Sequence, residues 1–316
     1  MRRAYKYSPC ANLTDFAGQG GASPLVIYRA IDNLGERKMR ERMKPTAFDY
    51  QRAGSVAEAV AIYHHAEDAR YLAGGQSLIA ALNFRLDAPG LLIDISRIAS
   101  LRGIERLGDT IRIGAMTRHV EVMHDPLVAT HLPLLRDAVA SVAHPAIRNR
   151  GTIGGSIALS DPASEMPACA LALSAKFHVE GPDGGKTVPA DDFFLGVYET
   201  ALTPGEILTA IEIPIPGPGC QHGFAELARR NGDYAMTGLA MMRGPDPRIV
   251  WFAMSDRPVR ALAAERALQA GAEVSAVLAL ATDGIDVLGD LNASAQMKRH
   301  YARVLLGRVL QAEVAR

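Results

Sequence analysis

YLAGGQSL (residues 71–78) sets two glycines between one apolar run and a second, IAAL (79–82). That order predicts a strand, a tight turn and a helix start, which together turn backbone N–H groups toward an anion. The stretch is neither of the familiar phosphate loops. It lacks the third glycine of a dinucleotide fingerprint, and it lacks the Gly-Lys-Ser/Thr of a Walker-type loop.

A second cluster, IRNRGTIGGS (147–156), again places a Gly-Gly pair and a serine between apolar flanks. Small residues let N–H groups approach an anion, and Ser77, Thr152 and Ser156 add hydroxyl donors. Either cluster alone reads first as a turn. Together they can hold the two phosphates of a dinucleotide from opposite sides. The sequel SDPASEMP (160–167) crowds Asp161, Ser164 and Glu165 ahead of a buried helix, PACALAL (167–173). These oxygens suit ribityl hydroxyls; they also suit a helix start, with Asp161 and Pro162 opening it and Ser164 and Glu165 in its first turn.

Working outward, SVAE (55–58) has capping-box spacing and opens the helix VAEAVAIYHH (56–65). ARYLA (69–73) is the strand before the first turn, and the helix after it is expected to run to Leu86. LLIDI (91–95) reads as a buried strand and IERLGDTIRIG (104–114) as a hairpin turning at Gly108 and Asp109. Thr117 is expected to cap a short helix, and PLLRDAVASV (133–142) forms another. AKFHVE (175–180), a turn at PDGG (182–185) and ILTAIEI (207–213) make a further β region. PIPGPG (214–219) marks the domain boundary. Beyond it, strands near 222–230, 237–243 and 248–254 precede helices at 258–270 and 294–312. The fold class is α+β.

Lys+Arg and Asp+Glu both total 34, so no net field draws nucleic acid or an anionic membrane. No run reaches the ~18 apolar residues of a transmembrane helix. Cys10, Cys169 and Cys220 lie far apart, with no spacing for an iron–sulfur cluster or structural zinc, and they suggest a reducing compartment. Residues 1–42 read as a disordered leader or an over-long start, with Met43 a sensible beginning.

At this point the chain resembles the FAD-binding (medium) subunits of the molybdenum hydroxylases, the group of xanthine dehydrogenase and aerobic carbon monoxide dehydrogenase. AGGQS (73–77) is similar to the family's first FAD motif and TIGGS (152–156) to its second. FDY (48–50), LIDI (92–95), AIRNRG (146–151), DFFLG (192–196), PGEIL (204–208) and GDYA (232–235) follow in the family's order, so the resemblance runs from about 43 to 312.

The resemblance implies a vanillyl-oxidase/MurB (PCMH) type FAD-binding domain over 43–219, in two subdomains, and a smaller α/β CO-dehydrogenase-flavoprotein-like domain over 220–316. It implies noncovalent FAD, with Ala73, Gly74, Gly75, Gln76 and Ser77 on one side of the pyrophosphate and Thr152, Ile153, Gly154, Gly155 and Ser156 on the other. Glu165 then faces the ribityl chain, beside Asp161 as read above, and Tyr198 lies near the isoalloxazine. Partners follow as well: a large subunit with the molybdenum cofactor and a small one with two 2Fe–2S clusters, assembled as a dimer of heterotrimers. Electrons pass through the clusters to the flavin and leave there. The implied location is cytoplasmic, with the inner face of the membrane reachable through the complex.

Gln76 stands where many relatives have His, Ser156 where many have Asn, and Leu159 replaces a polar residue. No catalytic acid or base is assigned in this chain, and no metal site, because the nine histidines show no ligand spacing. His119 and His124 fall on a short amphipathic segment, and Arg148 and Arg150 suit either the pyrophosphate or solvent. The competing readings are a self-sufficient flavoenzyme of the same fold, such as a MurB-like reductase or oxidase, and an assembly subunit that has lost FAD.

Overall fold

The computed structural model describes residues 44–314, so the expected leader at 1–42 and its Met43 lie outside the described residues. The chain begins with β1 (Asp49–Arg52), α1 (Val56–His65), β2 (Ala69–Leu72), α2 (Leu78–Asn83) and β3 (Leu91–Asp94). The hairpin β4 (Ile104–Leu107) and β5 (Thr110–Gly114) leads into α3 (His119–His124), α4 (Pro126–His131), α5 (Pro133–Ser141), α6 (Pro145–Arg148), α7 (Ile153–Leu159) and α8 (Glu165–Ala172). Then come β6 (Lys176–Gly181), β7 (Gly184–Pro189), α9 (Ala190–Phe193), β8 (Phe194–Gly196), β9 (Glu199–Thr200) and β10 (Ile207–Pro214). The remainder is β11 (Gln221–Ala228), β12 (Ala235–Arg243), β13 (Arg248–Phe252), β14 (Val259–Arg260), α10 (Leu262–Gln269), α11 (Val274–Ala279) and α12 (Ala295–Val314).

Four sheets carry these elements, the smallest being the β8–β9 hairpin. β3 lies between β1 and β2, parallel to both, because each connection crosses over through a helix or a long loop. An antiparallel sheet runs β4-β5-β10-β6-β7, and a second runs β11-β12-β13-β14. The β4–β5 turn at Gly108 and Asp109 is as the sequence predicts, with Gly108 at φ 60°.

The boundary at PIPGPG does not interrupt the packing. β12 and β13 alternate with period two, so Ala240, Val250 and Phe252 face the core shared with α5 and α8. Leu239, Met241, Ile249 and Trp251 face the opposite way, onto α10, α11 and α12. α8 is apolar on every side and its residues 166–172 are all buried, which fits a helix wedged between the two halves. Trp251 is fully buried, and its Nε1–H donates to the Ala281 carbonyl at 2.7 Å.

Several local expectations are corrected. α2 ends at Asn83 rather than Leu86, because Arg85 turns left-handed at φ 55° and the Leu86 N–H returns to the Ala81 carbonyl. Thr117 does not cap α3. Its hydroxyl bonds the backbone of Gly103, and the cap is Arg118, whose N–H donates to Glu121. In the SVAE box, Ser55 accepts from the Glu58 N–H as expected, but Glu58 reaches the N–H of Gly54 instead of that of Ser55. The helix expected from residue 258 starts at Leu262, since Val259 and Arg260 pair with Trp251 and Val250. α11 has no counterpart in the sequence reading.

Candidate cofactor site

The two glycine loops meet backbone to backbone. A Cβ on Gly74 would lie 2.5 Å from the Arg150 carbonyl oxygen and 2.9 Å from the Gly151 Cα. Only a residue without a side chain permits that approach. Gly75 then turns left-handed at φ 73°, which aims successive N–H groups to one side before α2 begins. The Gln76 side chain folds back onto the Gly74 carbonyl at 3.0 Å and stiffens the turn. Ser77 is exposed and caps nothing with its hydroxyl. The N–H groups of Gly74, Gly75, Gln76, Ser77 and Leu78 find no partner among the described residues. Partly buried N–H groups in a row, without partners, are a cradle for an anion.

The second loop is built differently. TIGGS is not a Gly-Gly turn but the first turn of α7, with Thr152 as its cap accepting from the Gly155 N–H at 3.1 Å. The Ile153 N–H is held by the Thr117 carbonyl and the Gly154 N–H by the Ala115 carbonyl. Gly154 serves close packing, since a Cβ there would lie 2.5 Å from Ala115. The N–H groups of residues 153–156 are therefore engaged inside the protein, and Ser156 adds its hydroxyl. Arg148 turns away from any phosphate role by donating to the carbonyls of Val142 and Ala143, while Arg150 is exposed.

His119 is a buried polar residue beside the second loop. It is 2% exposed, its Nε2 lies 3.0 Å from Ser156 Oγ, and its Nδ1 is buried without a partner. Burial, helped by the nearby Arg148 charge, lowers its pKa to about 4, so the ring is neutral at ordinary pH.

α7 separates the loop at Thr152 from Asp161 by about 10 Å. At its far end Ser160 adopts φ 53° and Asp161 starts the turn into α8, whose cap is Ser164. The helix thus begins at Glu165, not at Asp161 and Pro162; Asp161 accepts from the Ala163 N–H at 2.9 Å. The Tyr198 hydroxyl reaches Asp161 at 3.4 Å, aimed there by a left-handed φ of 54° in the β8–β9 hairpin, and Tyr234 bonds the same carboxyl. The structure so brings Asp161, Glu165 and Tyr198 into one neighbourhood.

Glu226 joins them. Its side chain accepts from Ser141, and its Oε2 is buried without a partner. Burial pushes Glu226 up to about 7 and Glu165 up to about 8, the charges of Glu226 and Asp161 adding to the latter. The signal was present in the sequence: in QHGFAELA (221–228), Glu226 is in phase with Phe224, whose face packs on the first core. Among the described residues no group of histidine, cysteine and carboxylate side chains could hold a metal. The broad concavity of about 750 Å³ beside Asp49, Glu67 and Gly90 shares no lining residue with either loop.

The chain is similar to known proteins along most of its length. Residues 46–216 match the FAD binding domain in molybdopterin dehydrogenase, and residues 222–312 match the CO dehydrogenase flavoprotein C-terminal domain. The carbon monoxide dehydrogenase medium chain of Hydrogenophaga pseudoflava is 44% identical over 63% of this chain and 70% of its own length. Subunit alpha of the 6-hydroxypseudooxynicotine dehydrogenase complex of Paenarthrobacter nicotinovorans is 35% identical over 85% of this chain and 95% of its own length. A solved chain of the Hydrogenophaga pseudoflava carbon monoxide dehydrogenase superposes with a TM-score of 0.82 at 40% identity, covering 86% of this chain and 99% of that one. The matched domains and relatives define an FAD-binding oxidoreductase subunit. Within that class, the chain belongs to the FAD-binding medium subunits of the molybdenum hydroxylase family.

Proposed function

We propose that this chain is the electron-transfer subunit of a heterotrimeric molybdenum hydroxylase or dehydrogenase. It takes electrons from 2Fe–2S clusters in a small partner subunit and passes them to an external acceptor, while substrate is oxidised in a large molybdenum subunit. The observation that carries this is the contact of the two loops at Gly74 and Gly151, beside a row of N–H groups with no partner of their own. Bound FAD supplies one- and two-electron redox chemistry. The chain's own residues bind and orient it.

In this reading Ala73 to Ser77 cradle one side of the pyrophosphate through backbone N–H groups and the Ser77 hydroxyl. Thr152 to Ser156 close the other side, with Ile153, Gly154 and Gly155 fixing the backbone and Ser156 supplying a donor. Asp161 and Glu165 face the ribityl hydroxyls, and Tyr198 borders the isoalloxazine. FAD is held noncovalently. The division of the chain near 219–220 separates an FAD-binding unit from a C-terminal one, and the assembly is a dimer of heterotrimers in the cytoplasm. No described helix is long and apolar enough to cross a membrane.

The test is co-expression with the neighbouring genes. The chain is expected to co-purify with a molybdenum subunit and an iron–sulfur subunit, with about one acid-releasable FAD per chain. A chain that purifies alone, yellow and active on a substrate of its own, would identify a self-sufficient flavoenzyme instead.

A further inference from the structure

We propose that His119 is a positioning residue for the cofactor's pyrophosphate: its Nε2–H donates to Ser156 Oγ and leaves the Ser156 hydroxyl hydrogen free for the anion. The inference rests on the assignment of the two loops above and adds a tautomer and a direction to it.

His119 is anchored by its own N–H to the Gly151 carbonyl at 3.0 Å, and its ring lies against Gly151, where a Cβ would come within 3.1 Å of Cδ2. Nε2 has one partner, Ser156 Oγ, at 3.0 Å; Nδ1 is buried and has none. A neutral imidazole carries one hydrogen. Placed on Nδ1, it would be a buried donor without an acceptor, and orphaned donors are rarer than under-used acceptors. Placed on Nε2, it leaves only a lone pair unmatched.

The second arrangement fixes the serine. A hydroxyl has one hydrogen to give, and here its oxygen is already accepting. Ser156 makes no hydrogen bond to the preceding turn of α7 among the described residues. The N–H groups of Ile153, Gly154 and Gly155 are engaged within the chain. The hydroxyl hydrogen of Ser156 is thus a donor that this loop retains beside those of Thr152, and a buried, neutral histidine holds it in place.

The experiment uses the full chain loaded with FAD. Nitrogen-15 NMR of the wild type is expected to show His119 protonated at Nε2 and bare at Nδ1. His119→Leu and Ser156→Ala are each expected to weaken FAD binding about tenfold, the loss of one hydrogen bond to a charged group. The double variant binds no more weakly than Ser156→Ala, because His119 acts through the serine. His119→Gln, whose amide offers an N–H at similar reach, recovers binding to within about threefold of wild type. An Nδ1–H tautomer, additive losses in the double variant, or unchanged binding by His119→Leu would each overturn the proposal. A wild-type chain that takes up no FAD overturns the loop assignment as well, whereas uptake untouched by Ser156→Ala overturns this proposal alone.

Discussion

Gly74 lies so close to Arg150 that a methyl group on its Cα would stand 2.5 Å from the Arg150 carbonyl oxygen. Neither partner in this contact is a flexible side chain, so neither can yield. The separation in sequence is large, and the two glycine loops come into register only through the fold. Gly74→Ala is expected to destabilise the chain by about 1–3 kcal/mol, the usual cost of overpacking, and to lower FAD content at least tenfold. Denaturant titration and the flavin-to-protein ratio read the two effects separately.

Gly75 carries a different constraint. Its φ of 73° leaves side chains strained, while the nearest obstacle to a Cβ is Cγ1 of the Ile79 side chain at 3.2 Å. Gly75→Ala is therefore expected to cost about 1–2 kcal/mol from backbone strain. Asparagine, which tolerates the left-handed region, costs less, and valine costs more and abolishes FAD retention. Equal losses across the three variants would show that sterics rather than φ governs the site.

The buried carboxyls predict a pH dependence of stability in the FAD-free chain. Glu165 and Glu226 keep their protons to about 8 and about 7 in the fold, against an ordinary 4.5 when unfolded. Between those values the folded state binds more protons than the unfolded one, so stability falls as pH rises and levels off above about 8. His119, held near 4 instead of 6.5, acts in the opposite sense below pH 6.5. The clean window is thus from about 6.5 to 8. Glu226→Gln is expected to reduce the fall in melting temperature across it by about 2–4 °C. An unchanged slope would mean that Glu226 is ionised in the fold.

Glu265 binds the C-terminal sheet to α10. It is 4% exposed, accepts from the Ile249 N–H at 2.8 Å and pairs with Arg260 at 2.7 Å. Glu265→Ala leaves the Arg260 guanidinium to Asp191 alone and strands the buried Ile249 N–H, at an expected cost of about 1–3 kcal/mol. Glu265→Gln keeps a carbonyl for Ile249 and is expected to lose less. Chemical denaturation of both variants checks the order.

Legibility in the sequence followed the range of the interaction. The Gly108–Asp109 hairpin and the buried helix around Cys169 were readable because turn chemistry and an unbroken apolar run are local signals. The short strand Val259–Arg260 carries no local strand signal, because its partners, Trp251 and Val250, declare it only across the sheet. Both glycine loops could be found, but the second was misread as a turn: Thr152 caps a helix there, and Ala115 and Thr117 take its N–H groups. His119 was hidden for the same reason. Nothing in its spacing announces a serine that folding brings to its ring. Glu226 had left a trace, a charge in an apolar phase, that the strand pattern alone could have exposed.

Ala253 sits just after β13 in a left-handed conformation, φ 58°. Its N–H donates to the Pro162 carbonyl at 2.7 Å, and its own carbonyl accepts the buried Lys298 ammonium of α12 at 2.6 Å. One alanine is thereby the rivet between the terminal helix and the peptide next to Asp161. Any pull on α12 is delivered through two hydrogen bonds to the backbone of the carboxyl-bearing loop, so a neighbour that grips the end of the chain has a mechanical handle on that loop.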